Sequence, residues 1–145
     1  MLELEERIGS DPKNGSIFQS DAVGETRRDE AMTGKGSAFV RDEDRAWDVT
    51  GEGIRRKVLT YDDGVMMVRV AFEAGAVGIP HQHPHVQCSL VESGSFDITI
   101  AGRTERLTTG DSFLVPPNAL HGAVAVEAGV LVDVFVPMRE DFVAS

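Results

Sequence analysis

Hydrophobic and polar positions alternate over short stretches from residue 54 onward, and glycines separate many of these stretches. The stretches with high β propensity span residues 58–61, 65–72, 85–91, 96–100, 112–115, 119–126 and 130–136. Beyond residue 54, apolar residues do not repeat at the helical period over ten or more positions. Short strands at this spacing, with glycine turns, predict an all-β sandwich or barrel.

Residues 1–45 follow a different pattern, rich in Asp, Glu, Arg, Gly and Ser. We predict a partly extended N-terminal arm there, followed by a single domain over residues 46–145. A chain of 145 residues with 41% hydrophobic residues is long enough for one core without disulfides. The single cysteine, Cys88, excludes an internal disulfide and is predicted to be a small buried apolar residue.

The charge balance narrows the range of partners. A formal net charge of -10 opposes binding to phosphate backbones or to anionic membranes. The chain has no apolar run of the eighteen or so residues that a membrane span needs, and its acidic start has no signal-peptide pattern. We therefore expect a cytoplasmic protein with no nucleic-acid or membrane partner.

Three of the four histidines, His81, His83 and His85, alternate within five residues. Residues two apart in a strand share one face, so a strand here would place three imidazoles side by side, with Gln87 next. A lone histidine is more often structural, but three on one face indicate a metal site, because imidazole binds Zn, Ni, Cu and Fe.

The spacing of this region resembles the two sequence motifs of the cupin superfamily. The first motif is matched by Gly75, the pair His81 and His83, Gln87 and Gly94, and the second by Gly110, Pro116, Asn118 and His121. The resemblance implies a double-stranded β-helix, or jelly roll, with one divalent metal ion inside the barrel. It implies His81, His83 and His121 as ligands.

Three positions depart from the motifs. Gln87 replaces a glutamate, Asn118 replaces a glycine, and Ala125 replaces an asparagine. Asn118 still tolerates a left-handed turn conformation. The change at Gln87 alters the chemistry, because it removes the anionic ligand.

The fourth ligand is predicted to be His85, with Gln87 as the alternative, so every protein ligand would be neutral. The metal would then keep its full charge as a Lewis acid, and the 2-His-1-carboxylate face of non-haem iron oxygenases is absent. We therefore predict Zn²⁺ and non-redox chemistry, with Ni, Mn or Fe as alternatives.

The last strand carries an acidic residue among apolar ones. Asp133 and Phe135 share a face, and a buried carboxylate is costly unless it is partnered or functional. Residues 133–142 and 81–87 resemble small cupins related to the pectin-degradation proteins that act on unsaturated uronates. That resemblance implies that Asp133, Phe135 and Arg139 line the site.

We assign catalysis to Asp133, Arg139 and Gln87, and substrate binding to Phe135. Arg69 is predicted to bind substrate as an anion clamp if its side chain faces inward, although a surface position is equally compatible with the pattern.

Residues 47–59, together with the His-Pro-His-x-Gln site, resemble the actinobacterial cupin cyclases of resistomycin and tetracenomycin type. This resemblance predicts a metal-dependent polyketide cyclase that closes rings of a poly-β-ketone chain by aldol-type cyclisation in antibiotic biosynthesis. The alternatives are a uronate-processing sugar enzyme, which needs polar and cationic cavity residues, a non-catalytic metal-containing binding protein, and an iron dioxygenase. By analogy with small cupins, we expect a homodimer.

Overall fold

The computed structural model describes residues 35–143, so most of the predicted arm, residues 1–34, lies outside the described residues. The described chain is all-β, as predicted, with one short 3-10 turn at Asp42–Asp44 and one short helix, α1, at Glu140–Val143. The strands are β1 Asp48–Gly51, β2 Ile54–Asp62, β3 Val65–Phe72, β4 Val77–His81, β5 Val86–Ile100, β6 Arg103–Thr108, β7 Ser112–Val115 and β8 His121–Val136.

All eight strands belong to one antiparallel sheet in the order β1-β2-β3-β8-β5-β6, with β4 added to β8 and β7 added to β5. The two long strands β5 and β8 pair along most of their length. Each of them also pairs with shorter strands, so that β5 and β8 connect the two ends of the molecule.

Four predicted strands are in fact two. Residues 85–91 and 96–100 were predicted as separate strands but both belong to β5, and residues 119–126 and 130–136 both belong to β8. The glycine turns predicted between these segments are absent at Gly94 and Gly129, which instead lie where the paired strands β5 and β8 approach each other most closely. A Cβ atom at Gly94 would lie 2.5 Å from the carbonyl oxygen of Ala128. These glycines therefore permit close backbone packing and irregular register rather than a chain reversal.

The interior contains two apolar clusters. The first is centred on Phe96 and is the one called the apolar cluster below; it consists of Phe72, Val91, Phe96, Ile98, Ala125 and Leu131. The second packs around Val58, Tyr61, Met66, Val68 and Phe135. Phe135 joins this second cluster to the histidines, since its ring centroid lies 5.6 Å from that of His83.

The prediction that Cys88 is buried is wrong. Cys88 is exposed, because it alternates with the buried Gln87 and Ser89 along β5 and therefore faces outward. In the described part of the chain, residues 35–143, no helix has the length and apolar character required to cross a membrane.

Candidate metal centre

Two of the histidines are placed by paired strand ends. His81 is the last residue of β4 and His121 is the first of β8, and the two are antiparallel neighbours with ring centroids 4.3 Å apart. The Nδ1 atom of His81 lies 3.0 Å from the carbonyl oxygen of Ile79, and that of His121 lies 2.9 Å from the carbonyl oxygen of Ala119. A carbonyl accepts from a protonated Nδ1, which leaves each Nε2 lone pair available for a metal.

His83 reaches the same place from a loop. The prediction that residues 81–85 form a strand is wrong, because β4 ends at His81 and β5 begins only at Val86. The backbone N–H of Asn118 donates to the carbonyl oxygen of His83 at 2.7 Å, and Asn118 has the predicted left-handed conformation, with φ of 66°. The turn of the second motif therefore holds the loop of the first.

The three imidazoles fit a metal ion. The ligand atoms of His81, His83 and His121 all lie within 4.8 Å of one another. Nε2 of His121 is buried and has no hydrogen-bond partner among residues 35–143. A buried polar atom without a partner is costly, and coordination would remove that cost. These residues can thus bind one metal ion.

His85 is outside this group of three, in contrast to its predicted role as the fourth ligand. Its ring centroid lies 5.4 Å from that of His83, and the shared strand face that would have aligned it does not exist. Gln87 is buried, and its Oε1 lies 3.1 Å from Nε2 of His83. Nδ1 of His85 is also buried without a hydrogen-bond partner among the described residues, so the fourth ligand stays a prediction with His85 and Gln87 as its two candidates.

A chain of buried hydrogen bonds leads away from the histidines. Nε2 of Gln87 donates to Oγ of Ser89 at 2.9 Å, and Oγ of Ser89 donates to Oδ1 of Asp133 at 2.6 Å. Ser89 was not singled out from the sequence, although it lies two residues after Gln87 on the same strand face. It is the residue through which the amide and the carboxylate are coupled.

Burial shifts the protonation equilibria of this chain. Desolvation raises the pKa of Asp133 to about 6, although the hydrogen bond from Ser89 and the positive charge of Arg139 oppose the shift. Desolvation, with a further contribution from Arg139, lowers the pKa of His83 to about 4, and desolvation also lowers the pKa of His121. The lowered pKa values favour the neutral imidazoles of His83 and His121 near pH 7, the form that binds a metal.

His81, His121 and Asp133 border a cavity of about 290 Å³. Asp133, Phe135, Arg139 and Gln87 all line it, so the structure brings together four residues that the sequence singled out. Nε and Nη2 of Arg139 donate to the two carboxylate oxygens of Asp141 at 3.0 and 2.8 Å, and its Cζ lies 5.1 Å from the Phe135 ring centroid.

Arg69 does not line this cavity. It alternates with the buried Val68 along β3 and pairs with Asp42 at 2.7 Å and with Glu92 at 3.0 Å. The predicted role in substrate binding finds no support in this placement, because the guanidinium lies on the outer face with its own carboxylate partners.

Arg56 lines the cavity and was missed. It lies on β2 between Ile54 and Val58, which it matches in the two-residue period of the strand, so the alternation indicates that it shares a face with these apolar residues.

Two comparisons, one with a protein-family model and one with a relative of known name, show which family this chain belongs to. A model described as the cupin domain matches residues 68–135. The pectin degradation protein KdgF of Dickeya dadantii is 44% identical over 106 residues, which are 72% of this chain and 96% of that protein. This chain is a cupin.

Solved structures agree with the predicted cupin fold, which is confirmed. An RmlC-like cupin from Shewanella frigidimarina has a TM-score of 0.72 and 41% identity, covering 74% of this chain and 97% of its own. The structure of KdgF from a Halomonas species has a TM-score of 0.70 and 38% identity, covering 73% and 98%.

The prediction of a polyketide cyclase in antibiotic biosynthesis, with a polyketide as substrate, is wrong. Two relatives that match most of this cupin are KdgF proteins, from Dickeya dadantii and a Halomonas species, and the first is named as a pectin degradation protein. The cyclase resemblance rested on residues 47–59, most of which belong to β1, the turn after it and the start of β2. The cavity also differs from the apolar one expected for a poly-β-ketone chain, because two arginines and two carboxylates line it.

Proposed function

We propose that this cupin is a metal-dependent enzyme that processes unsaturated uronates, the acidic sugars released when pectin is cleaved by elimination. The observation that carries the proposal is the cavity lined by His81 and His121, which combines Asp133 with the cations Arg56 and Arg139. Such a cavity suits a small sugar acid, since 290 Å³ is at the lower end of the roughly 300–1,000 Å³ typical of ligand pockets. The similarity to KdgF supports the same substrate class.

The proposed reaction is an isomerisation that needs only proton transfers. An unsaturated uronate has a C4=C5 double bond beside its carboxylate, and its ring oxygen is attached to C5. Loss of the proton from the hydroxyl on C1 forms an aldehyde and breaks the bond between C1 and the ring oxygen. That oxygen then belongs to an enol, which takes a proton at C4 and becomes a ketone at C5. One proton leaves and one is added, so that atoms and charge balance.

Asp133 suits the proton-transfer role. Because its pKa is raised to about 6, both its acid and its base forms are accessible near neutral pH. Ser89 fixes one carboxylate oxygen by donating a hydrogen bond to it. Arg139, held by Asp141, places a positive charge close to the region where enolate charge develops, and Phe135 forms an apolar wall.

A divalent metal held by His81, His83, His121 and either Gln87 or His85 would supply Lewis-acid polarisation of a substrate oxygen, and this neutral donor set favours Zn²⁺ over Ni, Mn or Fe. The chain's own contribution is twofold. Burial favours the neutral forms of His83 and His121, and the backbone carbonyls of Ile79 and Ala119 orient the rings of His81 and His121.

The test uses purified full-length protein with its metal and the unsaturated monouronate obtained from pectin. We expect loss of the ultraviolet absorbance of the conjugated double bond, and a ring-opened keto product by NMR. Asp133→Asn should slow this reaction at least about 100-fold. Asp97→Asn is the matched control, because Asp97 pairs with Arg106 at 2.8 Å on the exposed surface. Turnover no faster than without protein would overturn the proposal.

A further inference from the structure

Arg56 presents a cation to the cavity without a carboxylate partner. Its Cζ lies 3.7 Å from the ring centroid of Phe142, and its Nε is buried with no hydrogen-bond partner among residues 35–143. Within the same described residues, it is not part of any ion pair within 4.0 Å, whereas the neighbouring Arg139 is bound through two hydrogen bonds to Asp141. Of the two arginines that line the cavity, Arg139 is thus paired with a carboxylate and Arg56 has its N–H groups available for a ligand.

The surroundings of Arg56 are unfavourable for a cation alone. Burial and the nearby charge of Arg139 lower its pKa, and the more distant carboxylates of Asp141 and Asp48 offset this only in part, although Arg remains protonated at physiological pH. The Cζ of Arg139 lies 4.2 Å from the same Phe142 ring, so two guanidinium groups share one aromatic side chain. An anion in the cavity would offset both the desolvation of Arg56 and its repulsion from Arg139.

The chemistry of the anion follows from the guanidinium. Contact with an aromatic face restricts the orientation of an arginine while its N–H groups, which lie in the guanidinium plane, remain available. This planar set of donors matches a carboxylate, which can accept two parallel hydrogen bonds. A sugar acid carries one such group.

We propose that Arg56 binds the carboxylate of the sugar substrate and thereby selects acidic over neutral sugars. The inference rests on the proposed function and adds a specificity-determining residue to it. Arg139, already bound to Asp141, remains beside Phe135, close to Asp133. The two arginines therefore have separate roles: Arg56 recognises the substrate carboxylate, and Arg139 stabilises charge at the reacting atoms.

The test is direct binding, independent of turnover. Dissociation constants of D-galacturonate, a saturated uronate, and of neutral D-galactose are measured by NMR titration of the metal-loaded full chain. In the natural protein we expect the acid to bind at least about tenfold more tightly than the neutral sugar. Arg56→Gln should bring this ratio close to one and leave galactose binding unchanged.

Two further variants exclude a structural effect. Arg56→Met keeps apolar contact with Phe142 and should give the same loss of selectivity. Arg55→Gln is the matched control, because Arg55 is exposed, lies on the other face of β2 and contacts Trp47 at 4.6 Å. It should keep the natural ratio.

An unchanged ratio in Arg56→Gln, or no preference for the acid in the natural protein, would overturn the assignment of Arg56. These outcomes are distinguishable from failure of the proposed function, in which uronate binding and its dependence on Arg56 persist but the unsaturated uronate is not converted.

Discussion

The apolar cluster and the candidate metal centre differ in whether their buried groups all have packing or hydrogen-bond partners. In the apolar cluster, Phe72 and Phe96 pack edge to face with centroids 5.1 Å apart, and Phe96 is fully buried. Around the candidate metal centre, by contrast, buried polar atoms have no hydrogen-bond partner within residues 35–143, among them Nε2 of His121 and Nε of the half-buried Arg56. The apolar cluster is organised for stability, while the candidate metal centre retains unsatisfied groups that a bound metal or ligand would complete.

Removing a ligand should produce the largest effect. His121→Ala is expected to lower metal content to background and activity by about 10³-fold, because several kcal/mol of Lewis-acid stabilisation are lost. The fold should persist, since the substitution also removes an unpaired buried atom. Elemental mass spectrometry, with circular dichroism for the fold, makes the measurement.

His85→Ala is the control for this variant and should retain the metal, because the group of three histidines stays in place. Metal loss in His85→Ala but not in His121→Ala would restore the strand-face model of the site.

Disrupting the apolar cluster should lower stability and leave metal content unchanged, the reverse of the effect of removing a ligand. Phe96→Ala is expected to lower the free energy of unfolding by about 3–5 kcal/mol, through lost burial and a residual cavity. Denaturant titration of the metal-free protein measures this loss. The metal content of the molecules that remain folded should not change, and a parallel loss of metal would show that the apolar cluster and the candidate metal centre are not separable.

Asp133 links protonation to stability. Its folded pKa, about 6, is above its ordinary value of 3.8, so between these values the folded state binds more protons than the unfolded state. Stability from this group is therefore present below about pH 4 and lost as pH rises to 6. Asp133→Asn should become more stable relative to the natural protein over this range, by up to about 3 kcal/mol in the metal-free form.

The measurement is the difference in unfolding free energy between the two proteins across pH, which largely cancels the opposite contribution of His83, whose pKa is lowered. A difference that does not vary with pH would contradict the raised pKa of Asp133.

The smallest effect is expected on the surface. Arg106→Gln breaks the exposed pair with Asp97 and should change the free energy of unfolding by less than about 1 kcal/mol, because solvent screens such pairs. Activity and metal content should remain as in the natural protein. A larger effect would indicate that β6 contributes to the site.

Much of the site was predictable from spacing, and its errors have a common origin. Asn118 has the left-handed conformation expected of its motif position, and His81, His83 and His121 meet as the cupin motifs imply. The prediction that His81, His83 and His85 share one strand face is wrong, because β4 ends at His81 and local alternation does not reveal where a strand ends. His83 joins the group from a loop instead. Ser89 and Arg56 were missed because their polar side chains lie among residues that read as ordinary strand.

The sequence by itself determined the all-β class, the bounds of β3 and β7, and the three histidines that could hold a metal ion, because these depend on local propensity and motif spacing. Only the tertiary structure decided which face of each strand became the cavity. It joined the predicted segments on either side of Gly94 and Gly129 into β5 and β8, because their close crossing depends on pairing between distant residues. The same pairing sets Ser89 opposite Asp133. Arg56 of β2 lies beside Phe142 of α1, and both contacts join residues far apart in the chain that no local pattern encodes.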